Sequence, residues 1–321
     1  MSNGFLNAKD LEVAKILDGF IPDRVFDAHM HISDVPFGGD ERFGFSEYYR
    51  DNAPYFGKRE VRCMALTAPT ALQKSEDGYI KSVKYMSSEL DAYPKNLGSL
   101  LVKPTQSAED IEALLTHERL RALKCYHIYA EREKTFDADI HEYLTESALA
   151  VADKHSLAVT LHMVKDTSLS DPENMRKIKK ISRAFPNMKL VLAHAARSFA
   201  AWTAIESVEE LLPYENIFFD FSGVCESPAM TLILKSFGVT RCMWGSDYNV
   251  SKILGKAISL GDTFHWIEKS YVENLPAAVR QACRHVGTEN LLAVREAARL
   301  AELKPYEIEE LFCGTALKVF E

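Results

Sequence analysis

The chain has 321 residues, 47% of them apolar and 26% charged, an ordinary globular balance with ample material for a core. Its formal net charge of −8 argues against nucleic acid, which would need a basic face, but leaves room for a sheltered positive pocket that takes a small anionic substrate. No apolar run approaches the ~20 residues needed to cross a bilayer, and six scattered cysteines with no C-x-x-C pair fit a reducing, cytoplasmic setting.

In chain order, Lys9, Asp10, Glu12 and Lys15 alternate with apolar residues, which reads as an amphipathic helix and not as a signal peptide. Next comes Val25-Phe26-Asp27-Ala28-His29-Met30-His31, a short buried strand whose C-terminal end carries two histidines. Residues i and i+2 of a strand point the same way, so His29 and His31 aim two imidazoles at one spot, with Asp27 a layer below. Neutral imidazole is a common metal ligand.

From there short runs rich in Val, Leu, Ile and Phe recur at about 25–31, 61–67, 97–103, 121–127, 157–163, 188–194, 216–222 and 240–246. Segments with helical periodicity separate them. Ile140, Leu144, Ala148 and Val151 share one face of a helix over 139–152, and Asp171 caps another that starts at Pro172 and reaches Phe185. Eight strands alternating with helices are the sequence form of an α/β fold of the (β/α)8 TIM-barrel type. The competing doubly wound sheet has no G-x-G-x-x-G after any strand to support it. The expectation is one barrel domain over 1–321, with an N-terminal helical extension at about 1–22 and a C-terminal helical tail at about 262–321.

The segment from Ser33 to Arg59 is long for a connection and holds Gly38-Gly39, Phe43, Phe45, Tyr48, Tyr49, Tyr55 and Phe56. It reads either as an aromatic lid over the mouth or as an ordinary helix packed on the barrel.

Chemistry in such a barrel gathers at the C-terminal ends of the strands. His29 and His31 end the first strand, His162 the fifth, His194 the sixth and Asp247 the eighth, within Trp244-Gly245-Ser246-Asp247. One histidine after an apolar run is more often a core residue than a ligand, but four histidines and an aspartate at matching places point to a site.

This combination resembles the amidohydrolase superfamily, and within it the amidohydrolase-2 group of metal-dependent barrel hydrolases and decarboxylases. The residues that carry the resemblance are Asp27-Ala28-His29-Met30-His31, His162, His194, Phe219-Asp220-Phe221-Ser222-Gly223, Gly245-Ser246-Asp247 and the closing Ala316-Leu317-Lys318-Val319-Phe320. The resemblance implies one divalent metal ion, zinc in the first instance and manganese as the alternative, held by His29, His31, His162 and Asp247. It also implies that Asp247 and His194 are catalytic, with Asp247 taking a proton from the metal-activated water and His194 polarising the water or the substrate.

Lys124, on the fourth strand, has three readings: a bridging ligand of a binuclear centre, a cation for a substrate carboxylate, and a structural lysine. The second is favoured, with Tyr126, His127 and Arg197 as further substrate contacts. Lys124, Tyr126 and His127 can share the mouth only if the strand ends at Tyr126. Glu226 reads as a helix cap. The expected activity is hydrolysis of a C–N or C–O bond in a small amide, ester or lactone. Non-oxidative decarboxylation of an aromatic or unsaturated acid is the rival, and a catalytically inactive ligand-binding barrel the third reading. Homo-oligomerisation is left open.

Overall fold

A computed structural model describes residues 5–37 and 42–321. Eight parallel strands follow one another around a barrel in sequence order: β1 (Arg24–Ile32), β2 (Glu60–Thr67), β3 (Leu97–Leu101), β4 (Leu120–Cys125), β5 (Ala158–Leu161), β6 (Lys189–Leu192), β7 (Ile217–Asp220) and β8 (Cys242–Met243). Backbone bonds from Ala28 N to Trp244 O (3.1 Å) and from Asp247 N to His29 O (2.8 Å) join the last strand to the first. The (β/α)8 barrel expected from the periodicity is the fold. From β3 onward the strands are shorter than their apolar runs, because the residues at the C-terminal ends leave the ladder and turn over the mouth.

The barrel interior is packed, not hollow. Phe26 and Ala28 of β1, Met64 and Leu66 of β2, Ala122 of β4, Ala158 of β5 and Val191 of β6 form one apolar cluster. The last helix, Thr315–Phe320, plugs the bottom of this cluster with Ala316, Val319 and Phe320, and Phe320 stacks on Phe26 at 5.9 Å. Strict alternation would set Phe26 and Ala28 against His29 and His31. The register between β1 and β2 shifts between Asp27 and Met30, and such an irregularity re-aims side chains at a barrel rim. It lets one strand supply both the packed interior and the mouth.

Several local expectations change. The helix read over 139–152 is broken into a short turn at Ile140–Glu142 and a helix Glu146–Lys154, because Thr145 caps the second through Ala148 N. The aromatic segment becomes a helix, Phe45–Phe56, that buries Phe45, Tyr48, Tyr55 and Phe56 against the barrel; Gly38-Gly39 lies outside the described residues. The tail after Gly261 does not begin as a helix: Lys256–Leu260 (β9) and Thr263–Ile267 (β10) pair antiparallel in a hairpin. Glu226 caps nothing with its side chain and instead accepts bonds from Ser259 N and Oγ, anchoring that hairpin. Among the described residues, no helix is long and apolar enough to cross a membrane.

Candidate metal centre and active site

Asp27 is the buried post on which the mouth is built. One carboxylate oxygen accepts from His29 N (3.1 Å) and Ser246 N (2.9 Å), and the other accepts from the Tyr48 hydroxyl (2.7 Å). Burial pushes its carboxyl up to about 6, against the pull of these bonds. Asp27 therefore holds β1 and the loop after β8 in register instead of lying a layer below the histidines. Gly245 is required by this approach, since a Cβ there would sit 2.8 Å from His29 Cβ.

The Nε2 atom of His31 lies 3.1 Å from Asp247 Oδ1, and His29 Nε2 lies 3.7 Å from the same oxygen. These three residues form a cluster whose ligand atoms lie within 4.8 Å of one another, the right inventory for a divalent ion. His29 Nδ1 lies 3.0 Å from Asp220 Oδ2. A carboxylate can only accept, so that nitrogen carries the proton and Nε2 presents a lone pair. His29 Nε2 is buried and has no hydrogen-bond partner. A buried lone pair facing a carboxylate is costly unless a cation lies between them. The carboxylate–histidine pair behind it is the usual support of a metal-bound imidazole.

The electrostatics agree. Burial pushes the His29 imidazole down to about 3, with Asp220 opposing and Lys124 assisting, and burial also lowers His31 and His162. Burial would raise Asp220 and Asp247, but the surrounding histidines hold both carboxyls below their usual range. Neutral imidazoles beside ionised carboxylates are the protonation states that bind metal.

His194 lies where β6 leaves the ladder, in a left-handed run with φ of 58° at His194 and 56° at Arg197. Asp247 also has positive φ, 54°. Such conformations cost on the order of 1 kcal/mol or more in non-glycine residues and gather at functional sites. His194 N donates to Asp220 Oδ1 (3.1 Å), which pins the turn, and His194 Nδ1 lies 2.9 Å from the Ser222 carbonyl. A carbonyl also only accepts, so His194 Nδ1 carries a proton, and His194 Nε2 lies 3.0 Å from His162 Nδ1. His162, expected as a fourth ligand, lies outside the three-residue cluster; its Nδ1 meets His194, and that bond leaves its Nε2 unengaged.

The expected substrate contacts divide. The strand ends at Cys125, so Lys124, Tyr126 and His127 do converge on the mouth. However, Lys124 has no exposed surface and Tyr126 is 4% exposed. Lys124 Nζ lies 4.9 Å from the Tyr126 ring centroid with no hydrogen-bond partner, and burial pushes it down to about 8 against the pull of Asp220. The Tyr126 hydroxyl donates to the Thr67 carbonyl (3.0 Å) and lies 3.3 Å from His31 Nδ1. Both residues are as buried as the cluster they touch.

Arg197 is half-buried, and His127 is buried beside His162. The His127 ring stacks on His162 at 6.1 Å and meets Phe136 at 4.5 Å. Arg197 donates to the Lys165 carbonyl and Ser168 Oγ, both at 3.0 Å, and covers the Phe264 ring at 5.2 Å. Phe199 packs on His194 at 5.5 Å and on Phe264 and Trp266 of the hairpin at 4.6 and 5.6 Å. The hairpin walls the catalytic face with aromatic rings. Asp220 belongs to a motif to which sequence reasoning assigns no role, although its place at the end of β7 matches that of the other site residues.

A family model described as amidohydrolase matches residues 26–321. Among curated relatives, L-fucono-1,5-lactonase of Burkholderia ambifaria is 23% identical over 188 residues, 54% of this chain, and the match spans only 61% of the lactonase. Among solved structures, a zinc-bound amidohydrolase from Burkholderia multivorans is similar with a TM-score of 0.60 at 13% identity, covering 92% of this chain and 98% of that one. A 5-carboxyvanillate decarboxylase from Novosphingobium aromaticivorans, bound to manganese and a nitrobenzoic acid, is similar with a TM-score of 0.57 at 11% identity, covering 92% and 95%. At such identities these structures establish the shared barrel alone.

Proposed function

The chain belongs to the amidohydrolase-2 family, and from that premise we propose that it is a metal-dependent hydrolase acting on a C–N or C–O bond of a small carbonyl compound. The observation that carries the metal is the buried, unpartnered lone pair of His29 Nε2, facing Asp247 alongside His31. His29, His31 and Asp247 would hold one divalent ion, zinc or manganese. When bound, such an ion supplies Lewis acidity, which polarises a carbonyl and acidifies water.

The chain's own residues supply the rest. Asp247 Oδ2 is 3.8 Å from His194 Nδ1 and is the base that accepts the proton of the attacking water and returns it to the leaving group. His194 and His162 form a hydrogen-bonded pair in which His162 is half-buried and its Nε2 is not engaged by that bond. That atom accepts a hydrogen bond from the substrate or from water. Asp220 fixes the ring of His29 and the backbone turn at His194 at once. Arg197 and the aromatic wall of Phe199, Phe264 and Trp266 bound the substrate, and the guanidinium suits a carboxylate on it. The lactonase relative favours an ester or lactone bond.

Decarboxylation is the second reading, favoured by the Arg197 guanidinium, which with the His127 imidazole, kept neutral by burial, would hold an acid. One experiment separates the two. Protein purified without chelators is analysed for metal, then given lactones, esters, amides and aromatic acids while acid release and carbon dioxide are followed. Ring opening or ester cleavage that disappears in Asp247→Asn supports hydrolysis. Release of carbon dioxide from an acid overturns it in favour of decarboxylation, and wild-type protein devoid of metal yet active overturns the metal mechanism.

A further inference from the structure

A cavity of about 650 Å3 lies beside the helix Val286–Leu300 and the turn that leads into the helix Pro305–Glu309. That is within the usual size range of small-molecule sites. Much of its wall is apolar: Phe20, Leu292, Leu303 and Ile308 are half-buried there and pack on the core. A second cavity of about 460 Å3 shares Phe20, Arg295 and Ile308 and lengthens the groove toward Ile16 and Pro22. None of the residues that line either cavity belongs to the cluster at the mouth.

The charged lining is Lys256, Glu289, Arg295, Glu296 and Arg299, and its acids are already engaged. Glu289 accepts from Arg284 Nε (2.7 Å) and faces Lys256 Nζ at 3.6 Å. Glu296 stands three residues before Arg299, a favourable spacing for a pair, but accepts from Ser227 Oγ at 2.7 Å instead. Among the described residues, the guanidinium groups of Arg295 and Arg299 have no hydrogen bond and no ion pair. Both are exposed and lie one turn apart on the same helix, where like charges repel. Other exposed arginines find acids, as Arg24 does with Glu309 and Arg176 with Glu173. In a chain with 46 acidic and 38 basic residues, two arginines without an acid beside an apolar cavity are unused binding capacity.

We propose that this cavity is a second binding site, separate from the mouth, for a small amphiphilic anion. Its ligand carries a carboxylate or phosphate head on an apolar body. The head takes the two guanidinium groups of Arg295 and Arg299, whose planar forks match either anion. The body lies against Phe20, Leu303 and Ile308 and removes their half-exposed surface from water. Neither half of such a ligand suffices alone. A bare anion leaves the apolar wall wet, and a neutral apolar molecule leaves the arginines unpaired. The site needs no metal and stands apart from the reaction proposed above.

Calorimetric titration of the full chain with octanoate, octyl phosphate and octanol tests it. At least one of the two anions should saturate a single site, and the tighter of them identifies the head group. Octanol should bind ~10-fold or more weakly than that anion, because it leaves both guanidinium groups unpaired. In the double variant Arg295→Gln/Arg299→Gln the anion should lose ~10-fold or more in affinity, while the affinity for octanol stays the same. Both arginines are exposed, so the variant should melt with the wild type, which a thermal scan checks. The proposal is overturned if neither anion saturates, or if octanol binds as tightly as the anions. It is also overturned if the double variant binds the anion as the wild type does, which would place the anion elsewhere, the mouth included.

Discussion

Asp10 and Asp247 are both buried aspartates that face histidines, and the two clusters around them are finished differently. Asp10, near the start of the helix Ala8–Leu17, accepts from Asn7 N (2.8 Å), His285 N (2.9 Å), His285 Nδ1 (2.6 Å) and Thr288 Oγ1 (2.6 Å). Tyr55 extends the network through Thr288, and Phe5 packs edge-on against the His285 ring at 5.0 Å. The carboxylate is satisfied on both oxygens, and the knot ties the N-terminal helix to the helix Val286–Leu300. At the mouth, Asp247 faces His31 and His29 with no such set of donors, His29 Nε2 has no partner, and Lys124 Nζ has none either. Histidine and aspartate in contact are therefore not a signature of function. What separates the mouth from this knot is polar capacity that its own residues do not use, since a buried group left unpaired costs about 1–3 kcal/mol.

Removing a group from each cluster puts the contrast at greatest risk. Asp247→Asn should lower turnover by ~10²–10⁴-fold, the usual weight of a general base, while thermal unfolding stays close to that of the wild type. If Asp247→Asn instead unfolds as readily as an Asp10 variant, the mouth is as structural as the knot. Asp10→Ala should have the opposite profile. It leaves His285 and Thr288 without their acceptor, and loss of about 3–5 kcal/mol is expected from urea unfolding, with turnover per folded molecule retained.

The same knot has a pH signature. Burial works to raise the Asp10 carboxyl, but the bonds from His285 and Thr288 outweigh it, so the group titrates below its ordinary value in the folded chain. A depressed carboxyl contributes stability that is fully present above the unfolded value of about 3.9 and is lost as pH falls through the folded one. The stability gap between wild type and Asp10→Asn should accordingly be constant above about pH 5 and narrow below pH 4. A gap that widens on acidification would show that Asp10 is not held as a carboxylate.

Metal removal gives a smaller and selective effect. Zinc at 100 times its dissociation constant stabilises the folded state by about 2.7 kcal/mol, so a chelator should lower the melting temperature of the wild type. It should leave that of His29→Ala unmoved. A chelator-sensitive His29→Ala would place the ion elsewhere. The smallest change is at the rim of the knot: Thr288→Val removes one hydrogen bond to Asp10 and should cost about 1 kcal/mol, with metal content unaltered.

Much of the site is legible in the sequence. His29, His31, His194 and Asp247 can be placed because each directly follows an apolar run, and strand ends in a barrel all open on one face. His162 is found the same way but its partner is not, since the pairing with His194 depends on how two loops from neighbouring strands lean together. Asp220 and Tyr48 escape because each acts through another residue: one orients His29 and His194, and the other donates to Asp27. Spacing brings Lys124 and Tyr126 to the mouth, but their depth of burial there depends on the packing of neighbouring strands and is not written in it.

Local pattern along the chain suffices for the eightfold alternation, hence the barrel, and for the residue types that crowd its open end. Those follow from hydrophobic periodicity and from the two-residue repeat of strands, both of which act over a few neighbouring positions. The rest depends on how the chain meets itself. The register shift that turns β1 from Phe26 and Ala28 to His29 and His31, the left-handed backbone at His194 and Asp247, and the contrast between the satisfied Asp10 and the unsatisfied mouth belong to this group. Each rests on hydrogen bonds between residues far apart in the chain, such as Asp10 with His285, His29 with Asp220 and Ser246 with Asp27. Whether a buried polar group is satisfied is a property of its neighbours in space, and local sequence pattern does not carry it.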